Sequence, residues 1–537
     1  MTIWFAHEEF TEEERALLAP HFTDLDGPVF ALVNLPEVVK GALFARYSRS
    51  AKSLRRLFLD EFVESAAGEG SAPEVGTGRA EALYERVFFE YGDDSVAQLG
   101  GVHLACEQSS QILAKVLEWG RLAAYLEQST RYVPYNDRPG GRWRYVVPPE
   151  IEGTPHEPAF GEFADRSFDV YARLLEPLQE FYRRAFPKDP ADSDFVYRVS
   201  IRAKACDTLR GLLPAATRSN VGIFATGQAY EQLLLRMRAN PLGEVRAYAD
   251  LMLAELRKVI PAFLTRVDLP DRGEAWARYL AETREAAARV VHEVLAREAP
   301  EPVDEVELTD FDPEGETKVV AAALYAVSGL SDRHLLRRAR AMGHEERAAV
   351  LRAYVGRRAN RRHRPGRAFE RTSYRFDVLC DYGAFRDLQR HRPLTLEWQR
   401  LDPQNGYEQP LEIADAGMEG DWRTIMDDSA RVHDQLVRDG LVEAAQYSVA
   451  MAYKVRFYMD MNAREAMHLI ELRSTPQGHP VYRRVAQRMH RLIEGVHPAI
   501  AAAMSFVDHS NVDLERLVAE RRTEARRQEL AARETGS

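Results

Sequence analysis

A chain of 537 residues with 45% hydrophobic composition is too long for one ordinary domain and long enough to bury a large core, so at least two packed units are expected. Its formal net charge of −11 excludes a global attraction to nucleic acid or to an anionic membrane, so any anion site must be a local cluster of Arg or Lys. The three cysteines, Cys106, Cys206 and Cys380, lie far apart without paired spacing, which argues against a disulfide framework and a zinc site and points to a reducing cytoplasm.

The chain starts MTIWFAHEEFTEEER, which turns acidic at once and lacks a basic start with an apolar core. No later run of about eighteen apolar residues follows, so the expectation is a soluble, unexported protein with no membrane contact. The first informative segment is an apolar helical face, Ile112, Leu113, Val116 and Leu117, leading into LEWGRLAAYLEQSTRYV, Leu117 to Val133, which is expected to be a polar loop. There Arg121, Glu127, Ser129 and Arg131 crowd together, and two guanidiniums with a hydroxyl suit a phosphate or a carboxylate. The same residues also suit a solvated loop with local ion pairs. Asn136 to Phe160, rich in Pro and Gly, is expected to loop over the surface.

Further on, Val245, Tyr248, Ala249, Met252, Leu256 and Val259 share one helical face before Pro261. The stretch REAPEPVDEVELTDFDPEGETKV, Arg297 to Val319, is acidic, holds three prolines and has no apolar period, which is the composition of a linker. Arg357 to Arg367 carries six arginines in eleven residues and reads as a solvated basic patch. Ser373 to Leu379, SYRFDVL, alternates as strands do. The triplet Arg390-His391-Arg392 sits beside apolar residues and suits a pyrophosphate or a flavin edge, although a second such triplet, Arg362-His363-Arg364, lies within the basic run. Val481, Val485, Met489, Leu492 and Val496 then repeat the one-sided helix before Pro498. Arg238 lies 23 residues before Pro261 and Arg473 lies 25 before Pro498, an echo that an internal duplication explains. From about Val512 the chain mixes Glu and Arg as a solvated helix with a frayed tail. Helical periods dominate, so the fold class is α+β, helix-rich, with a small sheet packed by helices in each half.

Several of these segments together resemble the flavin-dependent thymidylate synthases. That family carries an Arg-His-Arg triplet, then seven residues, then Ser, any residue, Arg and Tyr, and later Asn-x-Arg with a second Arg eleven residues after the Asn. The first half resembles the nucleotide side of this pattern: aligned on Arg121 it has Ser129, Thr130, Arg131 and Tyr132, with Glu127 at an acidic position, then Arg210 before a Leu-Pro step and Arg238 as the later Arg. Its triplet reads Trp119-Gly120-Arg121, and Gly227 and Ala229 fill the Asn-x-Arg positions. The second half resembles the flavin side, with Arg390-His391-Arg392, Asn462, Arg464, His468 and Arg473, whereas Arg400, Asp402 and Gln446 replace the nucleotide residues. Upstream, Ser95 matches the family's approach to the triplet, and Arg367 takes that place in the second half.

The resemblance implies two tandem copies of a flavin-dependent thymidylate synthase-like domain. Their bounds are 1–298 with an N-terminal extension, an acidic linker 299–318, 319–510, and a charged helix and tail 511–537. It implies FAD as cofactor, NADPH and methylenetetrahydrofolate as cosubstrates, and transfer of a one-carbon unit and a hydride to carbon 5 of deoxyuridine monophosphate. Arg121, Glu127, Ser129, Arg131, Arg210 and Arg238 would hold the nucleotide, while Arg390, His391, Arg392, Asn462, Arg464, His468 and Ser95 would hold the flavin. The later Arg, here Arg238 or Arg473, would act catalytically by favouring the ionised uracil. In the family, sites form between subunits of a homotetramer, so a tandem chain is expected to form a homodimer and to share each site between its halves. Two other readings compete: a non-catalytic or altered relative that binds a nucleotide or flavin, and a nucleic-acid binder through Arg357 to Arg367. The acidic remainder of the chain and the lack of an aromatic platform speak against the last.

Overall fold

The structure, a computed structural model, describes residues 8–47, 50–63, 98–298 and 301–535. Ser95 lies outside the described residues. The chain forms two compact units, each discontinuous in sequence. One comprises Met1–Glu107, Gly120–Glu127 and Asn220–Glu298, the other Gln108–Trp119, Gln128–Ser219 and Ala299–Ser537. The second unit therefore contains residues from both halves of the sequence.

Seven strands form among the described residues: β1 (Gly101–Ser110), β2 (Ala123–Glu127), β3 (Arg218–Thr226), β4 (Val306–Phe311), β5 (Ser373–Asp381), β6 (Thr395–Trp398) and β7 (Lys454–Asn462). One sheet has the order β1-β3-β2 and the other β4-β5-β7-β6. With the edge strand β4 set aside, the two orders are the same. β3 and β7 are each nine residues long, and every second residue is buried along both, which is the two-residue period of a pleated strand. Each runs straight into a helix whose first turn is capped by the last strand residue. Thr226 Oγ1 accepts from Ala229 N at 3.3 Å ahead of the helix Gly227–Arg238, and Asn462 Oδ1 accepts from Glu465 N at 3.0 Å ahead of Ala463–Arg473. The cap corrects the sequence alignment by one residue: Thr226, not Gly227, stands where the second half has Asn462, and the first helix is one residue longer, 12 against 11.

Within the second unit the residues following Arg210 pair antiparallel with those following Gln446. Ala452 N donates to the Gly211 carbonyl (3.0 Å), Met451 N to Leu213 (2.9 Å), Ala215 N to Val449 (2.8 Å) and Ala216 N to Tyr447 (3.0 Å), with Pro214 bridged to Ala450. Pro214 lies four residues after Arg210 and Ala450 four after Gln446, so the segment pairs with its own duplicate, position facing like position, as across a two-fold axis. The buttress is duplicated too. Ser167 Oγ, on the helix Glu157–Ala185, donates to the Leu212 carbonyl at 2.8 Å, and Ser429 Oγ, on Glu419–Arg438, donates to the Ser448 carbonyl at 2.9 Å.

Three expectations change. The stretch 299–318 is not without structure: Val306–Phe311 forms β4 on the edge of the second sheet, where Val306 is buried against β5, and the helix Gly315–Ser328 begins before the stretch ends. Of its acidic residues only Glu307 and Asp310 lie on that strand, half-buried and exposed, while Glu305 pairs with Arg484 and Glu316 accepts from Ala499 N. The expected loop from Leu117 to Val133 contains β2, paired from Ala123 opposite Ala225 to Glu127 opposite Val221. The Arg357–Arg367 run is not uniformly solvated, because Arg358 is buried against Glu471 at 2.6 Å and its guanidinium also donates to the Ala503 carbonyl.

Candidate functional site

Four arginines, two from each half of the sequence, converge in the second unit around two buried aspartates. Asp207 lies one turn before Arg210 at the end of the helix Asp194–Leu209, and Asp387 lies one turn before Arg390 at the end of Tyr382–Leu388. The i,i+3 spacing lays each carboxylate beside its own arginine. Arg131 Nε pairs with Asp207 at 3.0 Å, its Nη1 donates to the Tyr482 hydroxyl at 3.0 Å and its Nη2 to the Gln477 carbonyl at 3.2 Å. Arg210 bridges the carboxylates, with Nε 3.3 Å from Asp207 and Nη1 3.6 Å from Asp387. Arg390 pairs with Asp387, and Arg473 Nη1 stands 3.8 Å from it.

Burial would raise both carboxyls, but the guanidiniums outweigh it. Arg131 with its neighbours holds Asp207 down at about 2, and Arg390, Arg210 and Arg473 hold Asp387 well below the usual carboxylate range. His479, close to Asp207, is kept neutral by burial, which outweighs that carboxylate. Four guanidiniums thus face two carboxylates, and the cluster keeps an excess of positive charge that suits an anion. A cavity of about 500 Å³ adjoins it, with Asp207, Arg210, His479, Asp381 and Trp422 among its walls. Its size lies within the range of about 300–1,000 Å³ usual for small-ligand sites.

Beside this cluster, His391 joins Glu465 to Arg473. His391 Nδ1 lies 2.9 Å from Glu465 Oε1, and Arg473 Nε donates to His391 Nε2 at 2.9 Å. His468 Nδ1 lies 3.2 Å from Glu465 Oε2. An N–H pointing at Nε2 requires a lone pair there, so the imidazole carries its proton on Nδ1 and gives it to Glu465. Burial, aided by the charge of Arg473, pushes His391 down to about 4, which agrees with a neutral ring. The three side chains bring ligand-type atoms within 4.8 Å of one another. A metal on His391 Nδ1 would move the ring proton to Nε2, where it would oppose the Arg473 N–H, contrary to the acceptor that metal-bound histidines usually face.

The other sequence-predicted residues are placed as follows. Ser129, half-buried, accepts from Arg131 N at 3.3 Å. Arg121, exposed, and Glu127, buried at the end of β2, belong to the first unit, as does Arg238, which pairs with Asp250 at 2.7 Å. Arg392 is exposed. Asn462 spends its side-chain oxygen on the helix cap, and Arg464 donates to the Pro365 carbonyl at 2.9 Å and stands 3.4 Å from Glu370. Sequence reasoning missed Asp207, Asp387, Glu465, His479 and Tyr482. For the first three a signal exists, since Asp207-x-x-Arg210, Asp387-x-x-Arg390 and Glu465-x-x-His468 each set an acid one helical turn before its partner.

The sequence matches the thymidylate synthase complementing protein family over residues 42–262 and again over 307–499. A UPF0159 protein of Chlamydia muridarum is 39% identical over 524 residues, covering 96% of this chain and 99% of that protein. A UPF0159 protein of Thermoplasma acidophilum is 32% identical over 508 residues, covering 90% and 97%. A flavin-dependent thymidylate synthase of a Mycobacterium species is 32% identical over 184 residues, 34% of this chain and 68% of that protein. Among solved structures, a UMP/dUMP methylase from Streptomyces cacaoi bound with 5-Br dUMP is 21% identical, covers 38% of this chain and 94% of its own, and has a TM-score of 0.30. Matched in both halves, and aligned over almost its whole length with full-length relatives, the chain belongs to the thymidylate synthase complementing protein family.

Proposed function

We propose that the chain is a flavin-dependent thymidylate synthase whose two halves build one site between them. In that reaction carbon 5 of deoxyuridine monophosphate gains a methylene unit from methylenetetrahydrofolate and loses its proton, and the unit is then reduced to methyl. The observation that carries the reading is the meeting of Arg131 and Arg210 from the first half with Arg390 and Arg473 from the second around Asp207 and Asp387. Ser129, Arg131 and Arg210 would receive the nucleotide phosphate, which the excess positive charge favours. Arg473, fixed by His391 and lying 5.5 Å over the Tyr482 ring, would face the uracil and stabilise negative charge developing on it.

A reduced flavin would supply the hydride, after NADPH has reduced it. For its diphosphate the fitting side chains are Arg390 and Arg464, each about one-third exposed, with the exposed Arg392. His391 does not fit a ring-nitrogen contact to the flavin, since both of its nitrogens are spent within the protein. The test is nucleotide-dependent oxidation of reduced flavin with methylenetetrahydrofolate by the full chain, with appearance of thymidine monophosphate. Turnover that Arg131→Ala and Arg473→Ala each abolish supports the reading, and a full chain that forms no thymidylate refutes it. A second reading, a nucleotide binder without turnover, is favoured by Asp207 and Asp387, which already occupy part of the guanidinium surface that a phosphate would use. Nucleotide binding without product would select it.

A further inference from the structure

Glu465 and Arg473 lie on one helix, eight residues apart, which separates them by about 12 Å along its axis. Neither side chain reaches the other, and His391, arriving from a different element, closes the gap. We propose that Glu465 and His391 are positioning residues: Glu465 fixes the Nδ1-protonated form of His391, and that form alone offers Arg473 the lone pair that orients its guanidinium. The catalytic importance of Arg473 rests on the function proposed above, while the tautomer assignment does not.

The geometry supports each link. His391 and Glu465 are 6% and 5% exposed, so water does not compete for either bond. Glu465 also receives His468, and these two hydrogen bonds hold its carboxyl below the usual range although burial opposes them. Arg473 is gripped on three sides, by His391 at Nε, by Asp387 across 3.8 Å and by the Tyr482 face. In a free imidazole the Nε2-protonated form is available as well. Without the Glu465 acceptor the ring can take that form, and it then presents an N–H to the Arg473 N–H. The pair sets which edge of the guanidinium points outward, so its loss is felt in the transition state more than in nucleotide capture.

The test uses the full chain labelled with 15N-histidine, with His391 identified by its disappearance in His391→Asn. The expected spectrum shows a neutral, Nδ1-protonated His391 from pH 5 to pH 8. In Glu465→Ala the ring passes to the Nε2-protonated form, turnover falls by about 10- to 100-fold, and the KM for the nucleotide changes by less than about threefold. Glu465→Gln, whose amide oxygen still accepts from Nδ1–H, restores the tautomer and most of the turnover. A wild-type His391 that gains its second proton near the ordinary value of about 6.5 overturns the proposal. So does an unchanged tautomer in Glu465→Ala, or an equal loss of turnover in the Ala and Gln variants. If the wild-type chain makes no thymidylate, the function proposed above fails, and the spectra still decide the fate of the pair.

Discussion

Asp387 sits where an incoming anion would meet the guanidiniums, so replacing it by Asn should trade stability for anion dependence. Its carboxylate faces Arg390 directly, Arg210 across 3.6 Å and Arg473 across 3.8 Å. At an effective dielectric constant of about 20, one such pair amounts to roughly 4–5 kcal/mol before desolvation is subtracted. Removing one partner from a buried ion pair costs about 3–5 kcal/mol, because the remaining charges stay buried and unmatched. For a unit of this size about 2 °C is lost per kcal/mol, so Asp387→Asn should melt roughly 6–10 °C below the wild type in chloride without sulfate. Sulfate at about a hundred times its Kd returns roughly 2.7 kcal/mol to the variant, most of what was lost. The wild type, with Asp387 already in place, should gain less from the same sulfate. The assay is thermal unfolding of both proteins in chloride and in a sulfate series at constant ionic strength. An Asn variant that melts with the wild type, or an equal sulfate response in both, would show that Asp387 does not hold the cluster together.

Asp381 caps the helix Tyr382–Leu388 through Oδ1, 3.0 Å from Ala384 N, and burial, against the pull of Arg210, pushes its carboxyl up to about 7. Its native pKa is thus above the unfolded value of about 3.9, so its contribution to stability is complete below pH 4 and lost as the pH rises through 7. Asp381→Asn keeps the cap, so in urea it should outlast the wild type at pH 8 and match it near pH 4; the same midpoint difference at both pH values would contradict this. Calorimetry should give one nucleotide per chain, not two. At the duplicate positions Trp119 packs edge-on against Trp398 with centroids 5.8 Å apart, and Gln446 replaces Arg210 and accepts from Leu401 N at 3.2 Å. A stoichiometry of two would refute the single shared site. Arg358→Ala should destabilise by about 3–5 kcal/mol, since it strands the buried Glu471, whereas Arg362→Ala on the exposed part of the run should change stability little. Equal losses in a denaturant series would remove the distinction.

How much of this was legible depended on whether the information was local. The strand Ser373–Asp381 and the helices before Pro261 and Pro498 were readable because their periods show in a few consecutive residues. β4 was hidden because only its first residue is fully buried, so Glu307, Asp310 and the prolines dominated the composition. The arginines could be chosen by motif, and what each half lacks is the sequence ground for proposing that the halves share a site. Their distribution over two units was not readable: Arg121, Glu127 and Arg238 belong to one, and Ser129, Arg131 and Arg210 to the other. The aspartates escaped because an acid inside a basic site runs against the rule that anion sites are basic. Only the burial of the Arg131, Arg210 and Arg473 guanidiniums makes their partial neutralisation necessary.

The facing of Pro214 and Ala450 has a consequence for how such a chain can change. In a dimer of identical subunits every substitution enters on both sides of the symmetry axis, so a residue useful on one side and harmful on the other cannot be kept. Here the two sides are written separately in one gene. Arg210 can stand in one copy with Gln446 in the other, and Arg390 with Trp119, with neither residue imposed on both. The covalent tether also removes the dependence of pairing on protein concentration, since a linked partner is present at an effective concentration in the millimolar range. Joining the copies thus permits a lopsided division of labour that separate identical subunits cannot encode.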